Sequence, residues 1–196
     1  MREKISAALI IFRAFAVPGV LVLGWFGRGT ALAVLILLAT LSDIFDGIVA
    51  RRLGVSTTAL RRADSIVDLV FWLTTIAALF FLRPQAMTDN WLVIAGAIAA
   101  EIIQQGISVA RFGRMTATHA RSAKFMGLCL LAGTMTLALG GGASVAFWTI
   151  GIGTAVAAVD GWAIVMLMPH WEADIPSFLA ALDLRRGRPV RRHWIG

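Results

Sequence analysis

The sequence predicts an all-α integral membrane protein: six transmembrane helices, with both termini in the cytoplasm. Three observations carry this. Apolar residues make up 59% of the 196, above the roughly 45–50% of a soluble domain. Apolar runs of about the 20 residues a bilayer requires recur along the whole chain. The basic residues fall almost entirely into alternate connections between those runs.

The first helix is expected over about 6–26. Met1 to Lys4 is a positive start, but the run that follows carries Arg13 and leads to no small-residue cleavage site, so it reads as a membrane helix and not a cleaved leader. Gly27 to Gly29 break it, and a second helix follows over 30–51. The third spans 63–82 and stops at Pro84, with Asp89 and Asn90 adding turn character. The fourth covers 91–111, the fifth, a short one, 124–139, and the sixth 145–168, with Gly140 to Gly142 between the last two. Beyond Pro169 the chain turns polar and ends in a run of arginines. The expected division is a six-helix body, 1–168, and a basic cytoplasmic tail, 169–196, which grips anionic headgroups at about 1 kcal/mol per basic residue.

Of the 18 Lys and Arg residues, all but Arg28 and Arg83 fall on one side of this topology, with Arg13 counted among them. An even number of spans then places both termini on that side, the cytoplasm. The net charge of +7 is therefore a topology signal, and nucleic acid is not an expected partner. Cys129, the single cysteine, has no partner for a disulfide within the chain and reads as a small core residue.

Four acids stand out at the turn between the second and third helices. Asp43, Asp46, Gly47 and Ala50 follow helical spacing, so one stripe carries two carboxylates and then two positions with little side chain. Asp64 and Asp68, four apart, share a face of the next helix. From the Arg51 and Arg62 ends the four lie roughly 3 to 12 Å inside, so they can meet in one layer near the cytoplasmic interface. Charged groups in a membrane face an interior or a watery cavity and need partners. Oxygen-only ligands at this density suit Mg²⁺ or Mn²⁺. A pair of such ions is a device for clamping both oxygens of a phosphoryl displacement, so a metal-dependent reaction on a phosphate ester is the expected chemistry. Gly47 and Ala50 leave room for a bulky group to approach the backbone.

These residues resemble the signature of the CDP-alcohol phosphotransferase (CDP-alcohol phosphatidyltransferase) family: Asp-x-x-Asp-Gly-x-x-Ala-Arg, eight or nine residues, then Gly-x-x-x-Asp-x-x-x-Asp. Asp43, Asp46, Gly47, Ala50, Arg51, Asp64 and Asp68 stand at its fixed positions. Leu60 occupies the place of the second Gly. Arg13 and Pro18 resemble the family's Arg-x-x-x-x-Pro in the first helix, while Ala7 and Ile10 replace the Asn and Thr that often precede it.

The resemblance implies a phospholipid biosynthesis enzyme, a homodimer with its active site open to the cytoplasm, here expected in a bacterial inner membrane. It implies transfer of a phosphatidyl group from CDP-diacylglycerol, or a similar CDP-linked lipid, to an alcohol, with release of CMP. Asp43, Asp46 and Asp64 would bind two divalent cations, Mg²⁺ or Mn²⁺, with Asp68 a further ligand or the general base. Asp68 is favoured as base because it can sit on the deep side, where the acceptor approaches. Gly47, Ala50, Arg51 and Asp43 would contact the CDP moiety. In family members with phosphorylated acceptors, such as glycerol 3-phosphate, basic residues lie in the region of Arg121, Ser122 and Lys124, which become the expected acceptor site.

Glu101 and Asp160 are intramembrane acids and so functional suspects. His119 reads as a loop residue, and Trp25 and Trp91 as interfacial anchors. Two rival readings remain at this level. One is a cation transporter, although transporter sites lie near the midplane on broken helices. The other is an inactive membrane scaffold that keeps the metal site, a reading that Leu60 keeps open.

Overall fold

The computed structural model describes residues 2–53, 58–116 and 120–188, with side chains described over 11–45, 66–116 and 120–188. Among the described residues the chain is helical, with no strand. Six long helices are α1 (Arg2–Trp25), α2 (Gly29–Leu53), α3 (Thr58–Leu82), α5 (Trp91–Phe112), α6 (Arg121–Ala138) and α7 (Ala143–Leu167); two short ones are α4 (Pro84–Asp89) and α8 (Phe178–Arg185). The short ones were not expected. α4 begins on Pro84, whose fixed φ and missing N–H suit the first position of a helix as well as a turn, and Met87 anchors it at 2% exposure.

Among the described residues two helices, α5 and α7, are long and apolar enough to cross a membrane. The shorter apolar stretches are Ile11–Trp25, Gly29–Phe45 and Ile66–Leu82. Solvent accessibility is distributed as in a lipid-facing molecule. Phe15, Leu69, Ile102, Trp148 and Val159 are each more than 60% exposed, whereas Arg13, Ser42, Thr75, Ser108 and Thr134 are buried. Large apolar side chains left this open are a liability in water and ordinary against lipid. Thr40, Thr74, Thr75 and Thr149 return their hydroxyls to the carbonyl four residues back, so these polar groups need no water.

The chain forms two compact units. The first comprises 1–89 and 134–143, the second 90–133 and 144–196. In the first, α1 packs against both α2 and α3. Its inward stripe is Ala16, Val20 and Gly24, facing Leu32, Ala33, Ile36 and Ala39 of α2 and Phe71, Thr75, Ala78 and Leu79 of α3. Gly24 allows α1 and α3 to cross closely: a Cβ there would lie 2.6 Å from the Ala78 carbonyl oxygen.

In the second unit Ala120, Ile164, Val165, Met168, Ile175 and Ala181 form a buried cluster. The segment after residue 168 thus folds back through Ile175 and α8 onto the end of α7. Arg111, at the end of α5, reaches the carbonyls of Val165 (2.5 Å), Met166 (2.7 Å) and Met168 (3.3 Å). It meets carbonyls that the last turn of α7 leaves without a helical donor. Cys129 is buried.

Candidate active site

Three ionisable residues of the first unit converge because each continues the inward stripe of its helix. Arg13 precedes Ala16 and Val20 by three and seven positions. Asp43 follows Ile36 and Ala39 by seven and four, and Asp68 precedes Phe71 and Thr75 by three and seven. These are same-face spacings. α2 runs on to Leu53 and α3 begins at Thr58, beyond the ends the sequence suggested. Asp43 and Asp68 therefore each lie ten residues, about 15 Å, inside those ends, level with one another.

At that level Arg13 Nη1 donates to Asp43 Oδ1 at 2.8 Å and also to Asp68 Oδ1. Two oxygens that touch one nitrogen are at most about 6 Å apart. The guanidinium is buried, 1% exposed, while the Asp43 and Asp68 side chains are 45% and 35% exposed. A cation sealed inside the helix packing thus faces two carboxylates at the edge of a more open space.

Arg13, which the sequence places in the first helix on the side of the four acids, is the counter-ion of two of them. The sequence carried the signal in its register: an arginine at the spacing of the core residues Ala16 and Val20 has to point inward, where it needs a negative partner.

α2 continues through Asp46, Gly47, Ala50 and Arg51, and α3 contains Leu60 and Asp64; their side chains lie outside the described residues. Among the described residues no three acids, histidines or cysteines form a group that could hold a metal ion. Asp43 and Asp68 nonetheless fit one. Both are oxygen donors, and Arg13 shows that they reach a common positive charge, the arrangement hard cations require.

The expected acceptor residues belong to the second unit, at the start of α6. Ser122 Oγ donates to Asp160 Oδ2 at 2.6 Å, and Asp160 Oδ1 accepts the backbone N–H of Phe178 at 2.8 Å. Asp160 thereby ties α6 and the first turn of α8 to α7, and caps α8 in place of Ser177, whose side chain makes no capping bond. The backbone N–H of Arg121 donates to the Pro176 carbonyl at 3.1 Å. The Arg121 and Lys124 side chains are exposed, three apart on one helix face. Among the described residues neither has a partner.

Glu101 accepts from Gln105 Nε2 at 2.7 Å. Gln105 in turn accepts from the Thr116 backbone N–H at 2.9 Å, a link that fastens the segment after α5. His119 lies outside the described residues.

The model of the CDP-alcohol phosphatidyltransferase family matches residues 4–168, a span that includes every acid of the candidate site. No curated protein and no solved structure matches the chain.

Proposed function

The chain belongs to the CDP-alcohol phosphatidyltransferase family, and from that premise we propose that it is a metal-dependent enzyme of phospholipid biosynthesis. It transfers a phosphatidyl group from CDP-diacylglycerol to a phosphorylated polyol such as glycerol 3-phosphate and releases CMP. Six spans, cytoplasmic termini, a homodimeric state and a bacterial inner membrane with the active site on its cytoplasmic side belong to the same proposal. So does the division into a catalytic body, 1–168, and a basic surface segment, 169–196. Membership itself carries the coarser statement, a membrane enzyme that transfers a phosphate-linked group from a CDP-alcohol.

The observation that carries the finer reading is the meeting of Asp43 and Asp68 on one positive charge. It supports the idea that α2 and α3 present carboxylate oxygens to a common point. Asp43, Asp46, Asp64 and Asp68 are the residues to hold two divalent cations, Mg²⁺ or Mn²⁺. Bound there, the cations supply positive charge against the pyrophosphate and its leaving group.

The chain's own residues do the rest. Gly47, Ala50, Arg51 and Asp43 border the CDP moiety, with the small side chains leaving room and the guanidinium facing phosphate. Asp68 takes the proton of the acceptor hydroxyl, whose oxygen forms a bond to the β-phosphorus as the bond from that phosphorus to the CMP oxygen breaks. Arg13 is a positioning residue that keeps Asp43 and Asp68 level. Arg121 and Lys124 hold the acceptor's phosphate. Ser122, with its hydroxyl hydrogen on Asp160, keeps the first turn of α6 between them in place.

The test is to incubate the purified protein with labelled CDP-diacylglycerol and Mg²⁺ or Mn²⁺, supplying glycerol 3-phosphate, inositol phosphate, inositol, serine or phosphatidylglycerol in turn. Release of CMP is expected with a phosphorylated acceptor, and its loss with a chelator. No release with any acceptor would sink the enzyme reading; ion flux into liposomes under the same conditions would replace it with transport.

A further inference from the structure

At the opposite end of the first unit lies a polar cavity that the reaction does not use. Its volume is about 310 Å³, at the small end for a ligand site. Gly27 lines it from the turn between α1 and α2, Gly29 and Thr30 from the first turn of α2, Arg83 from just after α3, and Gly140 from the turn after α6. Arg13 to Gly27, Asp43 back to Gly29 and Asp68 on to Leu82 are each fourteen positions. The cavity therefore sits roughly 20 Å from the carboxylate layer along the same three helices, most of the way across a hydrocarbon core of about 30 Å.

Arg83 is seated at this cavity. Its Nε donates to the Leu137 carbonyl at 3.3 Å, which fixes the plane of the guanidinium. Among the described residues Nη1 and Nη2 have no acceptor and no carboxylate pairs with the group. Gly140, at φ +86°, makes the seat possible: a Cβ there would collide with Arg83 Nη2. A guanidinium fork held by its Nε, in a cavity lined by three glycines and Thr30 as well as by Leu82, Ala138 and Leu139, has the donor geometry for a phosphate oxyanion.

We propose that this cavity binds the phosphate oxyanion of a phosphate monoester or diester, with Arg83 as its principal ligand, at the face of the molecule opposite the reaction. The chemistry is shared by a phospholipid headgroup and by a free phosphate, and the test separates the two. Full-length protein, stripped of lipid in neutral detergent, is titrated with phosphatidylglycerol and, separately, with inorganic phosphate, and bound ligand is counted by native mass spectrometry.

Wild type is expected to hold one phosphatidylglycerol, or one phosphate, that Arg83→Gln loses by about tenfold or more. A loss confined to the lipid arm identifies a headgroup site; a loss in the phosphate arm, with phosphate displacing the lipid, identifies a site for the free anion. Arg28→Gln, which removes an exposed charge from the neighbouring turn, should leave binding within about twofold of wild type. Arg83→Lys keeps the positive charge but removes the fork, and should lose most of the binding if Arg83→Gln fails to fold. Equal binding by wild type and either Arg83 variant in both arms, or an equal loss with Arg28→Gln, overturns the site.

Discussion

Arg13 in the first unit and Asp160 in the second are mirror images in their bonding. Each is an ionisable group on a long helix that gathers two partners from other segments. Arg13 draws Asp43 and Asp68; Asp160 draws a serine hydroxyl and a backbone N–H. The difference lies in the partners. Those of Asp160 are neutral donors fixed in the fold, so the carboxylate is satisfied and nothing is left to exchange. Those of Arg13 are themselves charged and more than a third exposed, while the arginine is sealed. Such carboxylates can take up other cations at their open side. The first arrangement is the proposed site and the second a brace, and an isosteric change of charge tells them apart.

The largest effect is expected at Asp68. Asp68→Asn keeps the volume and one carbonyl oxygen for Arg13 but removes the base, so CMP release should fall by about 10²- to 10⁴-fold. Binding of CDP-diacylglycerol, measured separately by retention of the labelled lipid, should survive. Full turnover in this variant would move the general base elsewhere and reduce Asp68 to a partner of Arg13.

Next in size is the removal of Arg13. Breaking a buried ion pair from one side costs about 3–5 kcal/mol when the orphaned charge stays dry. Here the orphans are Asp43 and Asp68, whose side chains are 45% and 35% exposed, so water offsets part of that. Arg13→Met should lose about 2 kcal/mol of stability, read as a lower unfolding temperature. Mn²⁺ should then raise that temperature more in the variant than in the wild type, because two carboxylates that have lost the Arg13 charge gain more from a cation. Arg13→Met that unfolds like the wild type would show that the pair holds nothing together.

The sequence revealed the acids more readily than their partners. Asp43 and Asp46, or Asp64 and Asp68, are separated by helical intervals, so a shared face follows from the rise and turn of one helix. The partners of Arg13 were legible in principle, from its register with Ala16 and Val20, but a tally of charge alone does not say which acids it meets. The partners of Asp160 were not legible at all. Its donors lie 38 residues before it and 18 after it, and only the folding of Ile175 and α8 onto α7 brings them together. The long helices announced themselves by hydrophobic runs, whereas α4 and α8 are too short to carry a period and depend on the burial of single residues, Met87 and Ala181.

The smallest expected effect is the one that separates brace from site. Asp160→Asn keeps an oxygen for the Phe178 N–H, and its amide can donate to the Ser122 oxygen in place of the hydroxyl bond it loses. It should cost no more than about 0.5–1 kcal/mol, the value of one neutral hydrogen bond. Asp160→Ala leaves both donors without that partner and should cost about 1–2 kcal/mol, in a half-buried position that water reaches in part. Asp160→Asn, which keeps a partner for both groups, should not change CMP release per folded molecule by more than about twofold, since substitutions away from the reacting groups act through stability. The same Asp-to-Asn change is thus nearly silent at 160 and disabling at 68. A large activity loss in Asp160→Asn, with its unfolding temperature unchanged, would place Asp160 among the residues that handle substrate, and the two ionic clusters would then have to be regarded as one kind.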